Sequence, residues 1–356
     1  MIASLRLGGA ERQLASLACM LKGSGNEVEV LSYREGDYYS DTLAGSGVPH
    51  TFIPGDKGDL RLIRDIAAHL RESRCEVLIS FLAGTNIKAC LAGRQCPGLR
   101  VIVSERNCNT SYLPHDALRF ALYRKYADAV VCNSYAQTEF IRKHCPALQG
   151  RLRTIPNFTD LERFRPAASG RGDGPLRIVT TARLDPRKNA LGLIRAASRC
   201  EGVRFDWYGA AAEDRYGAKC RRLIGKLGLE GRFFIHPAEK EVERIYREAD
   251  AFCLPSFYEG TPNAMAEALA SGLPVLCSCV SDNPRYICGN GFLFAPRKDD
   301  SLVSAIRSLK ALSSSEAAEY GSRSRRIAEK HFSKDLFFER YTMLLGGIPG
   351  GTDSPA

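Results

Sequence analysis

Residues 250–278 read DAFCLPSFYEGTPNAMAEALASGLPVLCS, and their order of apolar run, polar loop, helical stretch and second apolar run decides the fold. The run from Ala251 to Leu254 has the length and composition of a buried strand, and the stretch from Asn263 to Ala270 has helical period. Thr261 is the expected N-cap and Pro262 the first-turn residue, while Gly272 and Pro274 mark the helix end. Val275–Cys277 then reads as the next strand. A helix that starts at the carboxyl end of a parallel strand presents backbone N–H groups and a positive dipole end, so the loop 256–262 suits an anion, with phosphate the natural candidate.

Working outward, the same alternation recurs through both halves, which predicts an α/β chain of two doubly wound, Rossmann-like domains. In the first half the predicted strands are 28–33, 48–53, 77–81, 101–104 and 129–132, with helices near 11–21, 60–71, 117–127 and 135–143. In the second half they are 177–181, 204–208, 233–236, 251–254 and 275–277, with helices near 190–198, 217–226, 242–248 and 263–270. Between them, 165–174 holds Pro166, Ser169 and three glycines, the composition of an exposed linker. The expected division is therefore 1–165 for an N-terminal domain and 166–333 for a C-terminal one. Helices at 301–312, 317–330 and 334–345 follow, the last expected to pack back on the first domain, and 346–356 is expected to be a disordered tail. Only seven residues precede Gly8, so the first, usually central strand is expected to be truncated or to begin upstream.

Composition excludes several other classes. At 356 residues, 44% hydrophobic and 25% charged, the chain is ordinary globular material with no apolar run near the ~18 residues a spanning helix needs. Arg6, Glu11 and Arg12 interrupt any signal-peptide core. The 13 cysteines are odd in number and scattered without a Cys-x-x-Cys pair, which reads as reduced thiols; Cys277 and Cys279 are expected to be buried packing. The net charge of +10 is spread evenly: residues 1–165 carry 22 Lys and Arg against 17 Asp and Glu, and residues 166–356 carry 28 against 23. Such a surplus attracts phosphate or anionic lipid, and no nucleic-acid motif accompanies it.

The acids of the opening segment have a chemical use. Glu259 in the loop and Glu267 in the helix can each accept hydrogen bonds from hydroxyls at the two ends of an extended ligand, such as a sugar and a ribose. The segment alone leaves open that Glu267 is an exposed helix residue and Glu259 a turn residue. A second element, residues 178–189, reads IVTTARLDPRKN and puts Arg183 and Lys188 on the loop after the second domain's first strand. Two fixed cations there can stabilise a departing diphosphate as Mg²⁺ does elsewhere, although a solvated basic loop fits the same pair.

Taken together, Gly8-Gly9-Ala10-Glu11-Arg12, Ala182-Arg183-Leu184 with Lys188-Asn189, and Glu259-Gly260-Thr261-Pro262-Asn263 running to Glu267-Ala268 resemble glycosyltransferase family 4, the retaining enzymes of GT-B architecture. Asn133-Ser134, Ile155-Pro156-Asn157 with Asp160 and Phe164, and Gly289-x-Gly291-Phe292-Leu293-Phe294 are similar too. The resemblance implies two Rossmann-like domains facing across a cleft and a nucleotide-sugar donor, UDP-linked by preference. It implies that Arg183 and Lys188 hold the diphosphate, that Glu267 meets the ribose, and that Glu259 with the backbone of Gly260, Thr261, Pro262 and Asn263 holds donor sugar and phosphates. Arg183, Lys188 and Glu259 are thus the expected catalytic set, Gly8 and Gly9 are expected to let backbone approach the donor phosphate, and neither cofactor nor metal is expected.

One departure concerns the acceptor. Many relatives place a His at the end of an N-domain strand, where this sequence has Ser104-Glu105-Arg106-Asn107, so Glu105, Arg106 and Asn107 are the acceptor-side candidates and His115 reads as a loop or helix-start residue. In the family's front-face route the departing phosphate oxygen can take the acceptor's proton. The expected acceptor is a glycan or a polyprenol-linked saccharide of a polysaccharide or lipopolysaccharide pathway. Arg119, Arg124, Lys125, Arg142, Lys143, Arg151 and Arg153, interleaved with Phe120, Leu122, Tyr123 and Phe140, suggest peripheral contact with an anionic membrane from the cytoplasmic side. Alternatives on the same architecture are a sugar-nucleotide epimerase and a phosphorylase; from another class, a non-catalytic nucleotide-sugar-binding protein. No nucleic-acid partner is expected.

Overall fold

The computed structural model describes residues 1–56, 58–167, 174–210 and 215–346. Within these the chain forms two units, Met1–Asn157 together with the chain from Phe337 onward, and Phe158–Leu336.

In the first unit, β1 (Val30–Ser32) pairs in parallel with β2 (His50–Phe52), and β3 (Val77–Phe81), β4 (Arg100–Glu105), β5 (Ala129–Cys132) and β6 (Leu152–Thr154) form a parallel sheet in that order. Met1–Ala3 joins the two sheets. Phe81 N–H donates to Met1 O and the Met1 amine donates to Ile79 O on one side, while Ile2 N–H donates to Leu31 O and Tyr33 N–H to Ala3 O on the other. The segment expected to hold a short first strand therefore occupies the central place, with ladder bonds over only three residues. Helix Asp59–Glu72 shows why its sequence is helical: Leu62, Ile63, Ile66, Ala67 and Leu70 recur at helical spacing and all are buried. Helix Ala83–Gly93 was not predicted, because its small and polar residues, AGTNIKACLAG, carry little amphipathic signal.

The second unit is one six-stranded parallel sheet: β7 (Leu176–Thr181), β8 (Val203–Ala210), β9 (Phe233–Pro237), β10 (Ala251–Leu254), β11 (Val275–Ser278) and β12 (Gly291–Phe294). The spatial order is β12-β11-β10-β7-β8-β9. Every residue of β10 and β11 is buried, as continuous apolar runs in a parallel sheet covered on both faces must be. Trp207 and Phe205 pack one face with helix Ala190–Ala197, and Phe252, Tyr246 and helix Asn263–Ala270 pack the other. The order reverses between β7 and β10, and a crevice outside the carboxyl ends of the strands opens at such a reversal.

The structure divides the chain eight residues earlier than composition suggested. Phe158 and Phe164 are buried, Phe164 beside Tyr246 at 5.9 Å, and Arg325 donates to Leu161 O and Phe164 O, so the chain after Asn157 already packs on the second unit. Of the expected linker, residues 168–173 lie outside the described residues, as do 347–356 of the expected tail. In helix Lys334–Leu345, Tyr341 is buried in the first unit and accepts from Arg106, while Arg100 donates to Leu344 O and Leu345 O. All 13 cysteines are free; Cys277 is buried, but Cys279 is exposed because β11 ends at Ser278.

Candidate active site

At the carboxyl end of β7 the chain turns through Ala182 and Arg183 into a short 3₁₀ turn, Pro186–Lys188. Asp185 caps that turn by accepting from Arg187 N–H at 2.9 Å. Asn189 follows in the left-handed conformation, φ 58° and ψ 39°, and serves two ends at once. Its Oδ1 caps helix Ala190–Ala197 by accepting from Gly192 N–H, and its Nδ2 donates to Pro255 O and Pro296 O, each at 3.1 Å. This buried amide ties the loop after β7 to the loop after β10. A backbone bond from Phe257 N–H to Arg187 O at 2.8 Å reinforces the tie.

The result is that Lys188 and Glu259 meet. Lys188 Nζ stands 2.5 Å from Glu259 Oε1, with side chains 21% and 11% exposed. Ser256 Oγ donates to the same oxygen at 2.5 Å, and Ser281, itself at φ 48°, donates to the Glu259 backbone carbonyl. Thr261, expected as the N-cap, is buried and gives its hydroxyl to Asp282 Oδ2 at 3.1 Å; the N-cap is Pro262, and no side chain caps helix Asn263–Ala270. Pro262 is buried, and Gly260 and Asn263 are half-buried beside it.

Glu267 is not the exposed helix residue that its segment allowed. It is 6% exposed, and its Oε2 accepts from Tyr246 OH at 3.2 Å. Arg183, expected at the diphosphate, is 78% exposed, and its guanidinium lies 3.9 Å from Asp185 Oδ2. Arg187, not singled out from the sequence, makes the closer pair with Asp185, at 2.9 Å. Sequence reading also missed Ser256, Ser281, Asp282 and Tyr246, which carry no motif of their own.

In the first unit Gly8 precedes helix Gly9–Gly23 in an extended conformation, φ −170°, and accepts from Tyr39 OH at 3.3 Å. The acceptor-side candidates separate. Arg106 is buried, donates to Asn157 Oδ1 at 2.9 Å and to Tyr341 OH at 2.5 Å, and lies 3.9 Å over the Phe81 ring, so its guanidinium is engaged within the unit. Glu105 and Asn107 line a cavity of about 270 Å³ with Ala83, Asn109, Ser111 and Arg119. Burial pushes the Glu105 carboxyl above the usual carboxylate range, against the pull of Arg119 and of a 2.5 Å hydrogen bond from Tyr123 OH. Arg119 pairs with Asp116 at 2.8 Å and with Glu105 at 3.5 Å, and its Nε is buried without a hydrogen bond. His115 is exposed at the start of helix Pro114–Tyr126.

Part of the basic and aromatic set expected at a membrane is engaged within the first unit. Phe120 and Tyr123 are buried in the core, Arg119 is buried in ion pairs, and Arg151 and Arg153 donate to backbone carbonyls. Arg124, Lys125, Lys143 and Arg151 remain exposed, together with Tyr112, Leu113 and Leu118. Among the described residues no helix is long and apolar enough to cross a membrane, and no three His, Cys, Asp or Glu side chains gather as a metal cluster.

Comparison with known proteins adds the following. A family model described as Glycosyltransferase Family 4 matches residues 7–163, and one described as Glycosyl transferases group 1 matches residues 175–311. EpsF of Bacillus subtilis (strain 168), named as a glycosyltransferase, is 26% identical over 306 residues, 78% of this chain and 77% of that one. An α-1,4-N-acetyl-D-galactosaminyltransferase of Campylobacter jejuni, whose name gives a diphosphoundecaprenol-linked saccharide, is 26% identical over 282 residues, 75% of each chain. Other curated relatives align over about half of their own length or less. Among solved structures, Anabaena HepE in complex with UDP superposes with a TM-score of 0.86 at 19% identity, over 97% of this chain and 98% of that one.

Proposed function

Because this chain belongs to glycosyltransferase family 4 and is a glycosyltransferase of GT-B fold, we propose that it transfers a sugar from a UDP-linked donor to a glycan or polyprenol-linked saccharide, with retention of configuration and without a metal ion. The observation that carries the donor half is the meeting of Lys188 and Glu259 at the reversal of strand order between β7 and β10. A diphosphate entering there finds a cation on a braced loop, a second cation in Arg183, and a helix start that no side chain caps. Lys188 and Arg183 take the charge that grows on the leaving diphosphate, which is the task a metal performs elsewhere. Glu259 and the backbone of residues 260–263 hold sugar and phosphate, and the buried Glu267 holds the ribose hydroxyls.

For the acceptor, the cavity beside Glu105 and Asn107 supports a neutral, hydroxyl-rich ring: its one guanidinium, Arg119, is paired with Glu105 and with Asp116; Asn107, Asn109, Thr110 and Ser111 offer amides and hydroxyls; and Ala83, Cys108 and Leu113 add apolar surface. Arg106 is not part of that proposal. The names of relatives support UDP and undecaprenol linkage, as HepE is bound to UDP and two relatives act on diphosphoundecaprenol saccharides. We place the chain at the cytoplasmic face of an anionic membrane, touching it through Tyr112, Leu113 and Leu118 with Arg124, Lys125 and Lys143.

The test is a thermal-shift panel of nucleotide sugars followed by transfer assays in EDTA and NMR of the product anomer. Stabilisation by a UDP-sugar, EDTA-insensitive turnover and a retained anomeric configuration are expected. Stabilisation by another nucleotide sugar alone, loss of turnover in EDTA, or an inverted product each removes the corresponding part of the proposal. Flotation with anionic liposomes at low salt tests the membrane contact, and its absence overturns it.

A further inference from the structure

Tyr246, in helix Val242–Arg247, is fully buried yet carries its hydroxyl to the ligand end of the sheet. That oxygen meets Thr181 Oγ1 at the last position of β7, Ala264 O at 3.3 Å and Glu267 Oε2 at 3.2 Å. A phenol has one proton to give. A carboxylate is a stronger acceptor than a carbonyl and here also the nearer one, so the proton goes to Glu267. Thr181 must then be the donor to Tyr246, and the order of donation is Thr181 to Tyr246 to Glu267.

We propose that Tyr246 is a positioning residue for nucleotide binding: it fixes the rotamer of the Glu267 carboxylate against the end of β7, two residues before Arg183. The proposal rests on the assignment of Glu267 to the ribose. The ring is held independently of the hydroxyl, by edge contacts with Phe164 and Phe252 at 5.9 and 6.0 Å, so Tyr246→Phe removes the donor and leaves the packing. The phenol touches no ligand in this reading, and its effect reaches the nucleotide only through the acid.

The experiment is calorimetric titration of the full chain with UDP, GDP, ADP and CDP, then with the 2′-deoxy and 3′-deoxy forms of whichever binds tightest. What is read is the ratio of ribo to deoxy affinity within each variant, which does not depend on how much of the variant is folded. Tyr246→Phe should weaken ribonucleotide binding by roughly three- to tenfold, the worth of one hydrogen bond, and shrink that ratio toward the value for Glu267→Gln. Thr181→Val should act in the same direction and Thr181→Ser should restore the wild-type ratio. A wild-type ratio in Tyr246→Phe beside a collapsed ratio in Glu267→Gln overturns the role of the tyrosine and spares the ribose assignment. A wild-type ratio in Glu267→Gln as well, or no binding of any of the four diphosphates, overturns both.

Discussion

The Lys188 ammonium lies 2.5 Å from Glu259 Oε1, two side chains 71 residues apart in sequence and joined across the point where the sheet reverses its strand order. Each neutralises the other in a half-buried setting. On the function proposed above, an incoming diphosphate would compete with Glu259 for the ammonium, leaving the acid to turn toward the hydroxyls of the donor sugar. A pair arranged in this way couples the two contacts.

The first prediction concerns that pair. Lys188→Ala and Glu259→Gln should each fold and each lose about 10²–10³ in kcat, the usual cost of removing a well-placed stabiliser of developing charge. Because the residues form one unit, the double variant should cost far less than the product of the singles. Steady-state kinetics with a donor that binds wild type checks this, and a double variant as poor as that product shows the two acting separately.

A second prediction separates bracing from chemistry. Asn189→Ala leaves Pro255 O and Pro296 O without their amide donor and removes the cap of helix Ala190–Ala197. Stability should fall by about 2–4 kcal/mol, the sum expected for buried carbonyls losing a partner and a lost cap. Denaturant unfolding measures it. A variant unfolding at the wild-type midpoint shows that the two loops are held by other means.

Arg106 provides the third. Its guanidinium is engaged by Asn157, Tyr341 and the Phe81 ring, so Arg106→Ala should destabilise by about 2–4 kcal/mol through loss of charged hydrogen bonds and stacking. Activity per folded molecule should stay near wild type. Asn107→Ala should do the reverse, leaving stability alone and raising the KM for acceptor.

The fourth is a pH effect at Asp206. Burial alone would raise its pKa, but hydrogen bonds from Arg204 and His236 and the charge of Arg177 together hold it below the usual carboxylate range. A carboxyl depressed on folding contributes stability that is fully present above its unfolded pKa, about 3.9, and is lost as pH falls through the lower folded value. Asp206→Asn should therefore be less stable than wild type near pH 6, with the gap closing below about pH 4. A gap that stays constant over that range shows that the loss is one of packing and not of charge.

Much was legible in the order of residues alone. Two parallel sheets, the strand-loop-helix unit at 250–278, and the identity of Arg183, Lys188, Glu259 and Glu267 as candidates followed from period, end signals and chemical type, because each is a local property. The helix Ala83–Gly93 escaped because small residues leave no apolar stripe, and β6, whose sequence is Leu-Arg-Thr, because a charged residue breaks the short apolar run. What only the tertiary structure decided is which of these groups meet. Sequence could not separate Lys188, drawn onto Glu259, from Arg183, five residues earlier and 78% exposed. Nor could it find Tyr246 under Glu267, or Asn157 and Tyr341 around Arg106. A side chain's charge and size are written into its own position, whereas its partners depend on strand order and on the turn of every intervening loop, and those are settled when distant segments pack.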